Sequence, residues 1–163
     1  MNSKDIELIV ARHFGTFRNI IVPNVSHGFG PCGLWEMDLA IMTGSGYLYE
    51  VEIKTSVADL RRDQKKQRWT IPVWLERFES IVSRYYVAIP ESVLKKLNGS
   101  HDCFPECAGI LAIDDAPSQY SRVRMVRPTS KKRGRKLTDG EMLKLARLGT
   151  IRYWTRHSSK ITI

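Results

Sequence analysis

Two runs of alternating apolar and polar residues stand close together in the first third of the chain. In Trp35 to Lys54, WEMDLAIMTGSGYLYEVEIK, Leu39 and Ile41 alternate with Asp38 and Ala40, and Val51 and Ile53 alternate with Glu50, Glu52 and Lys54. A period of two is that of a β-strand, whose successive side chains point to opposite faces. The intervening Thr43-Gly44-Ser45-Gly46 supplies turn residues, so the stretch predicts a hairpin. That pairing brings Asp38 close to Glu52. Glu36 shares a face with Asp38, and Glu50 and Lys54 share one with Glu52. Neighbouring carboxylates repel unless positive charge sits between them, and the candidates are a divalent metal and Lys54.

The rest of the pattern frames this hairpin. Ile6, Ile9, Val10 and His13 fall at helical spacing, with Ser3 as the predicted cap and Gly15 as the stop. Arg18 to Val25 reads as a strand, and Ser26 to Gly33 as a loop. Ser56 predicts the cap of a second helix, SVADLRRDQKKQ, with Val57, Ala58 and Leu60 on its buried side. Thr70 to Ile81 is ambiguous, because Pro72 breaks a helix running through it. Strands are predicted over Arg84–Ile89, Ala108–Ile113 and Arg122–Val126, with a short helix over Glu91–Leu97 closed by Asn98-Gly99. Thr138 with Glu141 three residues on is a capping box, opening a last helix with an apolar stripe of Met142, Leu145, Ala146, Leu148 and Ile151. Helix, three strands, helix, strand, helix, strands and a final helix predict a single α/β domain with a central mixed sheet flanked by helices.

A chain of 163 residues is one domain by length and can bury a real core. No apolar run approaches a membrane span, and the N-terminus lacks the layout of a signal peptide, so a cytoplasmic protein without a membrane partner is expected. Three cysteines, an odd number, fit a reducing compartment better than a disulfide scaffold. The formal charge is +9, and its distribution is uneven. Residues 122–163 hold 13 Lys and Arg against Asp139 and Glu141, a net of +11, whereas residues 1–121 hold 13 against 15, a net of −2. A basic end on a near-neutral body fits either a polyanionic partner, nucleic acid above all, or a solvated tail.

Asp38, Glu52 and Lys54 make a compact hydrolytic set. Two carboxylates and the backbone carbonyl of Ile53 offer the oxygen ligands that Mg²⁺ or Mn²⁺ prefers. Such an ion would polarise a phosphoryl oxygen and acidify a bound water. Lys54 would hold that water or balance transition-state charge. Glu36 and Glu50 are auxiliary candidates, as is Glu7 if the first helix packs over the strand ends. A polar strand face on a half-exposed sheet is the plain structural alternative.

The stretch resembles the active-site hairpin of the PD-(D/E)xK nuclease superfamily. Asp38 matches the first acidic position and Glu52-Ile53-Lys54 the E-x-K, while Met37 stands where the namesake proline would be. Within that superfamily the chain is most similar to the small bacterial MmcB-like DNA-repair family. The residues that carry this are EIKTSVADLRRDQK from Glu52, RYYVAIPESV from Arg84, GILAID from Gly109 and RMVRPTSKKR from Arg124. The resemblance implies a restriction-endonuclease-like core and metal-dependent hydrolysis of DNA phosphodiesters in repair, recombination or mobile-element processing. It makes Asp38 and Glu52 metal ligands and Lys54 the catalytic lysine. Asp59, Asp63 and Lys65 fit a D-x-x-x-D-x-K segment after the motif. Lys65 would touch a phosphate or pair with Asp63 or Arg61, and Asp59 and Asp63 read as ordinary residues of an exposed helix. A non-catalytic nucleic-acid-binding protein with the same fold is the rival.

On either reading Arg122, Arg124, Arg127, Lys131, Lys132, Arg133, Arg135 and Lys136 are candidate contacts to the DNA backbone. Trp69, Tyr153 and Trp154 are candidates to stack on unpaired bases, and core packing is the commoner use of such aromatics. Cutting both strands usually takes two sites, so a homodimer is expected as an option. His101, Cys103 and Cys107 resemble part of a zinc site, with Cys32 or His27 needed as a fourth ligand; a loop with incidental thiols is the simpler reading.

Overall fold

The computed structural model describes residues 1–25, 36–115, 122–130 and 134–158. The elements in chain order are α1 (Ser3–Phe14), β1 (Asn19–Val25), β2 (Met37–Thr43), β3 (Leu48–Ile53), α2 (Val57–Asp63), α3 (Gln67–Thr70), α4 (Pro72–Ile81), β4 (Val82–Pro90), α5 (Glu91–Lys95), β5 (Gly109–Ile113), β6 (Val123–Arg127) and α6 (Asp139–Ser158). The six strands form one sheet in sequence order. β1, β2 and β3 are antiparallel, β3, β4 and β5 are parallel, and β6 closes the far edge antiparallel. The mixed α/β sheet expected from the element order is therefore present.

The alternation in the hairpin sorts two cores onto the two faces. Leu39, Ile41, Val51 and Ile53 meet Ile6, Ile9 and Val10 of α1 on one face. Ala40, Met42 and Leu48 turn to the other, where Leu60 of α2, Phe78 of α4 and Leu145 of α6 cover them. Each such aliphatic side chain contributes on the order of 1.5–3 kcal/mol when fully buried. A one-residue slip would exchange the faces, so the pairing is strongly specified. It is Leu39 opposite Val51 and Ala40 opposite Glu50, which sets Asp38 level with Glu52. The turn is closed by Gly46 N–H donating to the Thr43 carbonyl at 2.8 Å, with Gly46 at φ +84°.

Several boundaries differ from the sequence reading. Asn2, not Ser3, caps α1, its side chain and that of Asp5 bonding each other's backbone N–H. Pro72 starts α4 instead of breaking it; at the first helical position its missing N–H has no intrahelical partner to lose. Ile151 is 58% exposed, so the apolar stripe of α6 is buried only in its first half. The capping box holds: Glu141 accepts from Thr138 N at 2.7 Å, and its own N–H donates to Thr138 Oγ1 at 3.3 Å. Pro23 sits in β1, an edge strand where a missing donor is tolerated.

Residues 134–137, with the basic candidates Arg135 and Lys136 among them, are built into the fold. A Cβ on Gly134 would lie 2.6 to 2.8 Å from backbone atoms of Ile81, Val82 and Ser83, so only glycine allows that approach. Lys136 bridges to Tyr47, and Leu137 N–H donates to the Gly46 carbonyl at 2.8 Å.

Candidate active site

The site lies where β2 begins and β3 ends. Ile53 N–H donates to Asp38 Oδ2 at 2.7 Å, which pins the first carboxylate to the neighbouring strand. Lys54 Nζ donates to Glu52 Oε1 at 2.7 Å. Lys54 also lies 3.2 Å from Asp63 Oδ1 on α2. Lys66, just beyond α2, reaches both acids: it donates to Glu52 Oε1 and lies 2.6 Å from Asp63 Oδ1. Asp63 Oδ2 in turn accepts from Trp69 Nε1 at 3.3 Å and from Tyr85 OH at 3.4 Å. Asp38, Glu52, Asp63, Lys54 and Lys66 thus form one network of three carboxylates and two ammonium groups.

Burial gives this network its chemistry. Glu52, Lys54 and Asp63 are 3%, 5% and 2% exposed, while the side chain of Lys66 is 43% exposed and carries the network to the surface. The Asp38 carboxyl is pushed up to about 6, by burial first and by the neighbouring Glu52 second; the Ile53 N–H, Lys54 and Lys66 only partly offset this. Burial opposes the charge on Lys54, but the contacts to Glu52 and Asp63 outweigh it, and its pKa is raised. Lys54 is therefore held as an ammonium across the physiological range. Burial and the neighbouring Glu52 both disfavour the charged form of Asp38.

The structure joins Asp38, Glu52, Ile53 and Lys54 as the hairpin predicts. It does not add the auxiliary acids. Glu50 is fully buried and Glu36 exposed at the start of β2, and Glu7 rides on α1, which covers the opposite face. Among the described residues no group of three His, Cys, Asp or Glu is placed to hold a metal ion, so none of these three completes a carboxylate triad with Asp38 and Glu52. The same holds for His101, Cys103 and Cys107, while His27 and Cys32 lie outside the described residues.

Asp63 and Lys66 are the members that sequence reasoning missed. Asp63 belongs to the buried network rather than to an exposed helix face, and the lysine it takes is Lys66, not Lys65, which is exposed. One signal was present: Asp63 falls three residues after Leu60, on the buried side of α2.

The basic candidates divide. Arg124 makes a double contact with Glu91 at 2.7 and 3.0 Å, and Arg135 does so with Glu141 at 2.7 and 2.8 Å. Arg127 donates to the carbonyls of Ala108 and Pro105, and Lys136 lies over the Tyr47 ring. Arg122 is exposed, and Lys131, Lys132 and Arg133 lie outside the described residues. Trp69 packs against Phe78 and Tyr85 at 5.2 and 5.1 Å between ring centres, a core role; Tyr153 and Trp154 are exposed.

Comparison with known proteins finds no matching family model and no matching curated protein. No described helix is long and apolar enough to cross a membrane. Among solved structures the chain is similar to the SPO1766 protein of unknown function from Silicibacter pomeroyi, with a TM-score of 0.61 and 20% identity over 98% of this chain and 90% of that one. At that identity the likeness speaks for the fold alone: this chain is a single α/β domain built on a six-stranded mixed sheet.

Proposed function

We propose that the protein is a Mg²⁺- or Mn²⁺-dependent deoxyribonuclease of the PD-(D/E)xK kind, acting on DNA in repair, recombination or mobile-element processing. The observation that carries the reading is the convergence of Asp38 from β2 with Glu52 and Lys54 from β3, tied by the Ile53–Asp38 and Lys54–Glu52 bonds. The donor set suits a hard cation. Mg²⁺ is commonly held by one or two carboxylates with waters and substrate phosphate filling the rest, so a third carboxylate is not required. Burial first, and Glu52 second, disfavour the charged form of Asp38, and a bound cation would favour it. Asp38, Glu52 and the Ile53 carbonyl would hold the ion, which when bound supplies Lewis-acid polarisation and an acidified water.

The chain's own residues do the remainder. Lys54, kept protonated by Glu52 and Asp63, donates to the phosphoryl oxygen as charge builds there and does not serve as a base. Asp63 holds Lys54 and Lys66 in place. Lys66, half-exposed at the surface end of the network, meets an incoming phosphate. A water oxygen bonds to phosphorus as the P–O3′ bond breaks, one water proton ending on the O3′ alcohol and the other in solvent.

A second reading, a non-catalytic nucleic-acid-binding protein, is favoured by one observation: two lysines already neutralise Glu52. Incubation with plasmid and single-stranded DNA, in Mn²⁺ or EDTA and beside Lys54→Ala, separates the two. Cutting that needs metal and is lost in the variant supports the nuclease. Gel shifts without cutting support the binder, and an RNA lane tests the nucleic acid chosen.

A further inference from the structure

The four partnered cations of β6 and residues 135–136 leave open where a nucleic-acid backbone would lie. A cleft of about 670 Å³ offers a place. Arg61, Gln64 and Lys65 of the α2 segment line one wall, and Lys96, Ser100 and Asp102 beyond α5 line the other. Arg61, Lys65 and Lys96 are exposed, and none of them forms an ion pair with a described residue. Among the described residues, Asp102 is the one carboxylate lining the cleft. Its side chain accepts from Ser100 Oγ at 2.9 Å, and its carbonyl accepts from Gln64 Nε2 at 2.9 Å, which ties the two walls together. Three cations against one acid leave the cleft at +2.

Its position relates it to the candidate active site. β3 and β4 are parallel, so α2 and α5 leave the same end of the sheet as Glu52 and Lys54. Asp63 and Lys66 turn into the buried network while Arg61 and Lys65 of the same segment turn to the cleft. One helical segment, about 10 Å across, separates the two.

Resting on the nuclease reading, we infer that this cleft binds backbone phosphates of the DNA strand whose scissile phosphate meets Lys54 and Lys66. Exposed Arg and Lys side chains with amide and hydroxyl groups beside them are the chemistry of sequence-independent phosphate contact. The cleft and the site form one track around α2, and the strand is positioned by Arg61, Lys65 and Lys96 before it is cut.

Fluorescence anisotropy of a labelled oligonucleotide, single-stranded and duplex, titrated with the full chain in EDTA over a salt series, tests this. The variants are Arg61→Ala/Lys65→Ala/Lys96→Ala and a control with the same change of net charge, Lys4→Ala/Arg12→Ala/Arg18→Ala, on α1 and the turn after it. The expected result is a loss of affinity of about tenfold or more in the cleft triple variant. Its salt slope should fall by about 2 to 3, since each phosphate contact is worth roughly 0.7 to 0.9. The control should change by less than about threefold. Equal losses in the cleft and control variants overturn the cleft. A wild type that cuts with Mn²⁺ beside a cleft variant that binds and cuts equally well overturns the cleft and leaves the nuclease standing. A wild type that neither binds nor cuts overturns both.

Discussion

Asp63→Asn isolates the charge at the back of the network. Asparagine keeps the size of the side chain and an oxygen for Trp69 Nε1 and Tyr85 OH, so the change removes mainly the ion pairs to Lys54 and Lys66. Removing one partner of a fully buried pair costs about 3–5 kcal/mol. The two lysines differ here. Lys54, its side chain 6% exposed, keeps Glu52 at 2.7 Å, whereas Lys66, 43% exposed, can turn to water. The expected destabilisation is therefore reduced to about 2–3 kcal/mol. Urea unfolding at pH 7 should show it as a lower midpoint at unchanged slope. Thermal unfolding should fall by about 4–12 °C, taking about 2–4 °C per kcal/mol for a chain of this size. With metal and DNA saturating, turnover should drop more than apparent substrate affinity, because Asp63 braces the lysine that acts in the transition state. A midpoint within about 0.5 kcal/mol of wild type, the range of an ordinary surface substitution, would refute the view that Asp63 anchors the site.

Other substitutions test the rest of the account. The Arg135 bond, with the Thr138 N–H and hydroxyl, holds Glu141 down to about 2. A carboxylate with a depressed folded pKa stabilises above its unfolded value and loses that stabilisation as pH falls through the folded one. Glu141→Gln should thus cost about 1–2 kcal/mol at pH 7, discounted for the half-exposed Arg135, and little at pH 2 in urea titrations. Asp38 has the opposite sign: its pKa of about 6 lies above 3.8, so its contribution is present at pH 3 and lost as pH rises through 6. Asp38→Asn should remove that loss, worth at most about 3 kcal/mol, and leave stability flatter between pH 4 and 6. Gly134→Ala should destabilise by about 1–3 kcal/mol or more, since its Cβ would strike the backbone of residues 81–83; a well-folded variant of wild-type midpoint would count against that packing.

The fold was legible because its strongest signal, the period of two at Asp38–Ile41 and Glu50–Lys54, was matched by turn glycines between them and by tertiary burial on both faces. The capping box at Thr138 and Glu141 was equally readable, being local chemistry. Pro72 misled because the same ring that breaks a helix interior suits its first turn, and position within the element is not written in the residue. Ile151 misled because periodicity reports an apolar stripe, not how far the sheet beneath it extends. At the site, residues adjacent in sequence or across one turn were found: Asp38, Glu52 and Lys54. Asp63 and Lys66 escaped because their role depends on how α2 folds back over the end of β3. The partners of Arg124 and Arg135 escaped for a related reason: Glu91 lies 33 residues from Arg124, and Glu141 was read as a cap alone.

Anomalous scattering from a crystal soaked in Mn²⁺ would show whether an ion sits between β2 and β3. A metal site there predicts a peak bonded to carboxylate oxygens of Asp38 and Glu52 and to the Ile53 carbonyl, with Lys66 moved off Glu52 and Lys54 retained. Absence of the peak at saturating Mn²⁺, with Lys66 still seated on Glu52, would contradict it.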